Sequence, residues 1–194
     1  MIISQKHSAA HRSLLALAIV LALTATAHAQ SPTDKHAASE HLLDALKTAP
    51  NEQAAASVEA QLEQTWLNAG TPAVTLLMSR GLRSLQAGQD DEAVNSFSDA
   101  ITLQPDVAEA WRQRALARYH AGDVKGAVTD LEETVQLEPR DFAAFRTLTD
   151  IATAREDWKR AYTAWQKVME IDPKTPGGEE RLRVLKRKAV GEDT

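Results

Sequence analysis

Histidine is the residue type here best suited to binding a metal or moving a proton, and beyond residue 30 the chain has His36, His41 and His120. A spacing of five places His36 and His41 on different sides of a helix. No third ligand lies near them in the sequence. The chain also has no Cys, which excludes disulfides, thiol nucleophiles and thiolate zinc sites. We therefore predict no metal site and no cofactor.

The motifs of common catalytic sites are also missing from the sequence. No Ser lies in a G-x-S-x-G setting, and no glycine-rich loop is present that would hold a phosphate. The acidic residues are spread as charges on helix surfaces. The sequence therefore predicts a protein that is not an enzyme.

A group of basic residues near the C-terminus raises the alternative of binding to nucleic acid or anionic lipid. Acidic neighbours almost balance it, and basic residues late in a helix are favoured by the helix dipole. The whole chain of 194 residues has a net charge of -5. We therefore expect a solvated helix face and no nucleic-acid partner, because phosphate binding needs an excess of positive charge. The basic residues are Arg181, Arg183, Lys186, Arg187 and Lys188.

The first 29 residues have the order of segments found in a secretory signal peptide. Lys6 and Arg12 precede an apolar run over residues 14–23, and Ala27-His28-Ala29 closes the segment. The run is short for the ~20 apolar residues that span a bilayer. We expect cleavage after Ala29, export to the periplasm and no stable membrane insertion afterwards. An uncleaved N-terminal anchor is the alternative.

The rest of the chain repeats with a period of 34 residues. Within each period apolar residues recur every three or four positions, and turn residues separate two such runs, which predicts a pair of helices. Four sets of residues keep this spacing: Pro105, Pro139 and Pro173; Ala93, Ala127 and Ala161; Phe97, Leu131 and Trp165; and Leu77, Trp111 and Phe145.

Residues 74–107, 108–141 and 142–175 resemble tetratricopeptide repeats, whose pattern of small, large and Pro positions they share. The resemblance implies an all-α fold, a right-handed superhelix of three repeats. Residues 36–70 are predicted to form an N-terminal helical hairpin, either a cap or a degenerate repeat. Residues 178–189 are predicted to form a C-terminal capping helix.

Two departures from the family pattern lead to structural expectations. Arg114 stands where Leu is usual, and Asp130 on the second helix of the same repeat is its expected ion-pair partner. The turn glycines Gly88 and Gly122 are followed by Glu156 at the third equivalent position. We expect the third repeat to turn or stack less regularly.

The resemblance also implies a binding groove, because the first helices of such repeats line a concave face. Leu82, Leu85, Leu116 and Tyr119 would form an apolar patch, and Arg112 and Arg146 would hold a carboxylate or backbone carbonyls. The alternative is that the N-terminal hairpin folds over this groove and buries the patch. The predicted partner-binding residues are Met78, Leu82, Leu85, Arg112, Leu116, Tyr119, Arg146 and Asp150.

These features together predict an exported, non-catalytic adaptor that binds a peptide or helix of another protein on its concave face. The alternative is a structural subunit of an envelope complex, or a self-assembling scaffold, that uses the ends of the repeat stack.

Overall fold

The computed structural model describes residues 32–191, so the predicted signal peptide lies outside the described residues. Within this range all regular structure is helical, which confirms the all-α prediction. The helices are α1 (Pro32–Lys47), α2 (Glu52–Leu67), α3 (Pro72–Gln86), α4 (Asp90–Leu103), α5 (Ala108–His120), α6 (Val124–Leu137), α7 (Phe142–Ala154), α8 (Trp158–Ile171) and α9 (Gly178–Val190). The pairs α3–α4, α5–α6 and α7–α8 correspond to the three 34-residue periods.

Short local signals set the ends of these helices. The side chains of Asp123, Asp141 and Asp157 accept hydrogen bonds from backbone amides in the first turns of α6, α7 and α8. A proline lies two residues after the last residue of α4, α6 and α8. Because proline lacks an amide hydrogen and restricts the residue before it, the helix cannot continue through it.

The three turns inside the repeats have the same backbone conformation. Gly88, Gly122 and Glu156 have φ angles of 69°, 86° and 56°. In the third turn the amide of Asp157 donates to the carbonyl of Ala152 at 2.9 Å, and the first two turns form the same bond. The expectation of a less regular third turn was therefore wrong. Glu156 adopts a left-handed conformation that costs a non-glycine residue about 1–2 kcal/mol.

The paired helices approach closely where a small residue faces a large one. Gly81 on α3 lies against the ring of Phe97 on α4, and a Cβ atom at Gly81 would be 2.5 Å from that ring. In the second repeat Ala115, Ala127 and Leu131 belong to one buried cluster. Each repeat is therefore held together by the residue sizes that define its sequence pattern.

The N-terminal hairpin, α1 and α2, packs mainly against the third repeat. Its buried residues Leu46, Leu62 and Trp66 form one cluster with Phe142 and Ile171. The first repeat thus keeps an open outer side, where Leu76 of α3 is 67% exposed. The hairpin folds across the repeats and does not extend the stack beyond the first of them.

The last helix, α9, covers the other end of the stack. Leu185 is buried with Trp165 and Val168 of α8, and Leu182 packs beside them. Across residues 32–191, no helix has both the length and the apolar character that a bilayer crossing requires.

Candidate interaction site

The predicted partner-binding residues lie on the first helices of the repeats, and the structure divides them into three groups. Met78 is only 2% exposed and belongs to the core of the first repeat. Arg112, Arg146 and Asp150 form ion pairs within the chain. The remaining four, Leu82, Leu85, Leu116 and Tyr119, are half-buried.

Arg112 on α5 holds a buried acidic pair. Its guanidinium donates to both carboxylate oxygens of Glu109, at 2.9 and 2.8 Å, and lies 3.6 Å from Asp141. Gln113 also donates to Glu109, at 2.7 Å. Burial raises the pKa of both Glu109 and Asp141, although Arg112 opposes the rise. Arg112 thus neutralises carboxylates of its own chain.

Arg146, one repeat further along on α7, binds the N-terminal hairpin. It donates to Glu59 of α2 at 2.8 Å, to Asp172 at 3.3 Å and to the hydroxyl of Thr175. Its guanidinium also lies 4.8 Å from the centroid of the Phe142 ring. The equivalent arginines of the second and third repeats therefore both face carboxylates.

Two carboxyl groups beside Arg146 have shifted pKa values. Burial raises the pKa of Asp172 to about 7, and the neighbouring Glu59 adds to the rise. Burial also acts to raise the pKa of Glu59, but hydrogen bonds with Arg146 and Asp172 outweigh it and lower that pKa. Glu59 is therefore the charged partner of Arg146, and Asp172 holds a proton up to near-neutral pH.

Helix α2 lies on the part of the predicted groove that contains these arginines. The ring of Trp66 packs on the ring of Phe142, with centroids 5.6 Å apart. On α1, Glu40 and Asp44 accept hydrogen bonds from Arg140. Helix α2 thus occupies the arginine end of the groove. The alternative expectation was that the hairpin would bury the apolar patch, and that patch is not part of the hairpin cluster.

The other end of the groove is the open apolar end, formed by Leu82, Leu85, Leu116 and Tyr119. These residues are not part of the buried cluster that contains the hairpin. Leu82 and Leu85 pack with the core of the first repeat, and Tyr119 packs with the core of the second. The assignment of these residues as partner contacts stays a prediction, as does that of Asp150, which pairs with Arg181 of α9.

The predicted pair of Arg114 and Asp130 is confirmed. The guanidinium donates to both carboxylate oxygens at 2.8 Å. Arg118 lies 2.8 Å from the same carboxylate, and Asp130 is 1% exposed. By contrast, Glu59, Asp172 and Thr175 were not identified from the sequence, because the contact with Arg146 joins residues far apart in the chain.

Among the described residues, one group of three could hold a metal ion. Ligand atoms of His36, Glu40 and Glu138 lie within 4.8 Å of one another. His36 is exposed, and Glu40 already accepts a hydrogen bond from Arg140. The group offers no buried ligand set, and the predicted absence of a metal site stays a prediction.

Comparison with known proteins places this geometry among helical repeat proteins. A family profile described as "Tetratricopeptide repeat" matches residues 81–147. A TPR repeat-containing protein of Rhizobium etli is 25% identical over 155 residues, which are 80% of this chain and 76% of that protein.

Solved structures show the same fold. The TPR domain of Sgt2 from Aspergillus fumigatus superposes with a TM-score of 0.57, at 22% identity, over 63% of this chain and 83% of that domain. The first TPR of Spaghetti (RPAP3), bound to an HSP90 peptide, superposes with a TM-score of 0.57, at 18% identity, over 62% of this chain and 96% of that one. These similarities establish that the chain forms an all-helical superhelix of stacked helix pairs, as in these two domains.

Proposed function

Because this chain belongs to the tetratricopeptide repeat family, we propose that it is an exported, non-catalytic adaptor that binds a peptide or helix of another protein on its concave face. Domains of this fold act as protein-interaction modules, and the RPAP3 repeat domain was solved with a peptide bound. The groove of the present chain contains two equivalent arginines and an apolar patch. These features determine the kind of polypeptide that it would bind.

The observation that supports this proposal is the position of α2 on the groove. A helix of the chain itself uses a carboxylate, Glu59, to pair with Arg146, and an aromatic ring, Trp66, to pack on Phe142. The surface is thus compatible with an amphipathic helix that has acidic and aromatic residues. An external helix with the same chemistry would bind beside α2 on the open apolar end or displace it.

The open end supplies the contacts that we assign to the partner. Leu82 and Leu85 on α3 and Leu116 and Tyr119 on α5 are half-buried, so that each retains surface for a ligand. Aromatic and aliphatic anchors in the centre of an interface provide most of its affinity. Arg112 and Arg146 would contribute only after their intramolecular carboxylates moved.

The test is capture of a partner by the purified chain from a periplasmic extract, with a variant at the open end. Leu116→Asp with Tyr119→Asp should abolish recovery of the partner, because two carboxylates would be desolvated in the interface. Thr102→Asp, at an exposed position on α4, is the matched control and should recover the partner normally. Circular dichroism must show equal helix content in all three chains. Equal recovery by the double variant would refute the proposed site.

Export is part of the same proposal and has its own test. The signal-like segment predicts a mature chain that begins at Gln30. N-terminal sequencing of the protein from a periplasmic fraction should give Gln30 as the first residue. A chain that retains residues 1–29 in the membrane fraction would support the anchor instead.

The structural-subunit alternative is favoured by one observation, the open side of the first repeat. Leu76 on α3 is 67% exposed and Leu103 on α4 is 61% exposed. Exposed apolar residues at the end of a repeat stack are suited to association between stacks. Light scattering over a range of concentrations tests this alternative. A monomer at every concentration argues against self-assembly, and an oligomer lost in Leu76→Asp would support it.

A further inference from the structure

A second surface, away from the concave face, lies where the second repeat meets the third. Helices α6, α7 and α8 line a groove of about 820 Å³. Its base is apolar and is formed mainly by Phe145, Leu148, Ile151 and Ala152 of α7, with Val128 of α6 at the side. None of the predicted partner-binding residues lines this groove. We propose that it binds an amphipathic helix of another protein that carries acidic residues beside its apolar face.

The groove exists because the third repeat lacks a polar network that fills the second. In the second repeat Arg114 and Arg118 both pair with buried Asp130. At the three positions 34 residues later stand Leu148, Ala152 and Ala164. All three line the groove, and none has the charge to rebuild the network.

The junction between the first and second repeats is closed by the same arginine. Arg114 reaches across to the hydroxyl of Ser98 on α4 at 3.1 Å, and its guanidinium lies 4.8 Å from the ring centroid of Trp111. The position equivalent to Arg114 in the third repeat is Leu148, which has no guanidinium group to reach from α7 to α6. The second junction therefore lacks the side chain that closes the first one, and Phe145 and Leu148 at its apolar base are only half-buried.

The rim of the groove determines the charge of the ligand. Four basic residues and two acidic residues line it, namely Lys125, Arg155, Lys159 and Arg160, with Glu132 and Asp157. Asp157 is 3.3 Å from Arg160. Among the residues described, Lys125, Arg155 and Lys159 have no carboxylate within ion-pair distance. A basic rim in a chain with net charge -5 is a local feature that favours an acidic ligand.

The test uses the full mature chain and a synthetic helix as the probe. The probe is an amphipathic peptide of about four turns, with Leu on one face and Glu on the other. A matched peptide has Lys in place of Glu. Titration by fluorescence anisotropy should show binding of the Glu peptide, weaker binding as salt increases, and no binding of the Lys peptide. Equal binding of both peptides would overturn the charge assignment and with it the proposal.

Two variants of the protein separate this groove from other surfaces. Leu148→Arg with Ala164→Asp rebuilds the ion pair of the second repeat and should weaken binding of the Glu peptide on the order of tenfold or more. Lys125→Glu with Lys159→Glu changes only exposed side chains and should have a similar effect. Lys186→Glu with Arg187→Glu on α9 changes the net charge equally and should leave the affinity almost unchanged. Unchanged affinity in the rim variant, which needs no repacking, would overturn the proposal.

Methyl chemical shifts locate the bound peptide. We expect changes at Val128, Leu148 and Ile151 and none at Leu82 or Leu116. Changes confined to Leu82 and Leu116 would assign the peptide to the concave face and overturn this site. The proposed concave-face function would survive failure of this site, because Leu116→Asp with Tyr119→Asp does not alter any residue of the groove.

Discussion

Glu59 of α2 and Arg146 of α7 form the ion pair that joins the N-terminal hairpin to the third repeat, with an oxygen–nitrogen distance of 2.8 Å. Asp172, at the end of α8, contacts the same guanidinium at 3.3 Å. Arg146, on the first helix of the third repeat, thus contacts both the N-terminal hairpin and the end of the second helix of the same repeat. The arginine end of the groove is occupied through the same contacts.

The first prediction concerns pH. The pKa of Asp172 is raised from its ordinary value of 3.8 to about 7, so the folded chain binds the proton more tightly than the unfolded chain between these values. The stabilisation that this proton gives is complete below pH 3.8 and is lost as pH rises through about 7. Asp172→Asn cannot ionise, and the free energy of unfolding of this variant should change less between pH 5 and pH 8 than that of the wild type.

Urea denaturation at both pH values measures the difference. The lowered pKa of Glu59 acts in the opposite direction, but only as pH falls below its ordinary value of 4.5, which is outside this pH range. Asp99→Asn, at an exposed position on α4, is the control and should retain the wild-type pH dependence. An identical pH dependence in Asp172→Asn would contradict the assignment.

The second prediction concerns the turn of the third repeat. Glu156 has a φ of 56°, and glycine occupies the equivalent positions in the first two repeats. Glu156→Gly should stabilise the chain by about 1 kcal/mol, since glycine adopts this conformation without the Cβ penalty. Gly122→Ala should destabilise it by about the same amount. Urea denaturation checks both values, and a destabilising Glu156→Gly would contradict the prediction.

The third prediction concerns the buried network of the second repeat. Asp130→Ala should cost about 3–5 kcal/mol, because it leaves Arg114 and Arg118 without their buried partner. Combining it with Arg114→Ala should cost less than the sum of the two single variants, because the residues act as one unit. A double-mutant cycle measured by denaturation gives the coupling. Strict additivity would show that the pair is energetically independent.

The fourth prediction concerns the close approach of α3 and α4. Gly81→Ala would place a Cβ atom 2.5 Å from the ring of Phe97, which is completely buried. The ring or the helices must move, so the variant should lose about 1–3 kcal/mol despite the better helix propensity of alanine. Thermal unfolding followed by circular dichroism measures the loss. The second repeat already has Ala115 at this position, in one buried cluster with Leu131, and Ala115→Ser serves as a control for a small change there.

The fold was largely predictable because local rules and the repeat period agree. The 34-residue period fixed the helix pairs, and the prolines and capping aspartates set most helix ends. The pair of Arg114 and Asp130 was also predictable, since two charges that face each other within one repeat have few other partners. The third turn was predicted incorrectly, because the hydrogen bond from Asp157 to Ala152 outweighs the backbone preference of Glu156.

The sequence alone determined the repeated unit of this protein, because residue size and helix period act over short distances along the chain. Tertiary structure decided which surfaces are occupied. The contact of Glu59 with Arg146 and the groove beside Leu148 depend on how distant segments stack. The spacing of residues in the sequence does not show which of these segments pack together. Charge and packing between such segments are settled only when the helices assemble, since each repeat closes its apolar face against a neighbour.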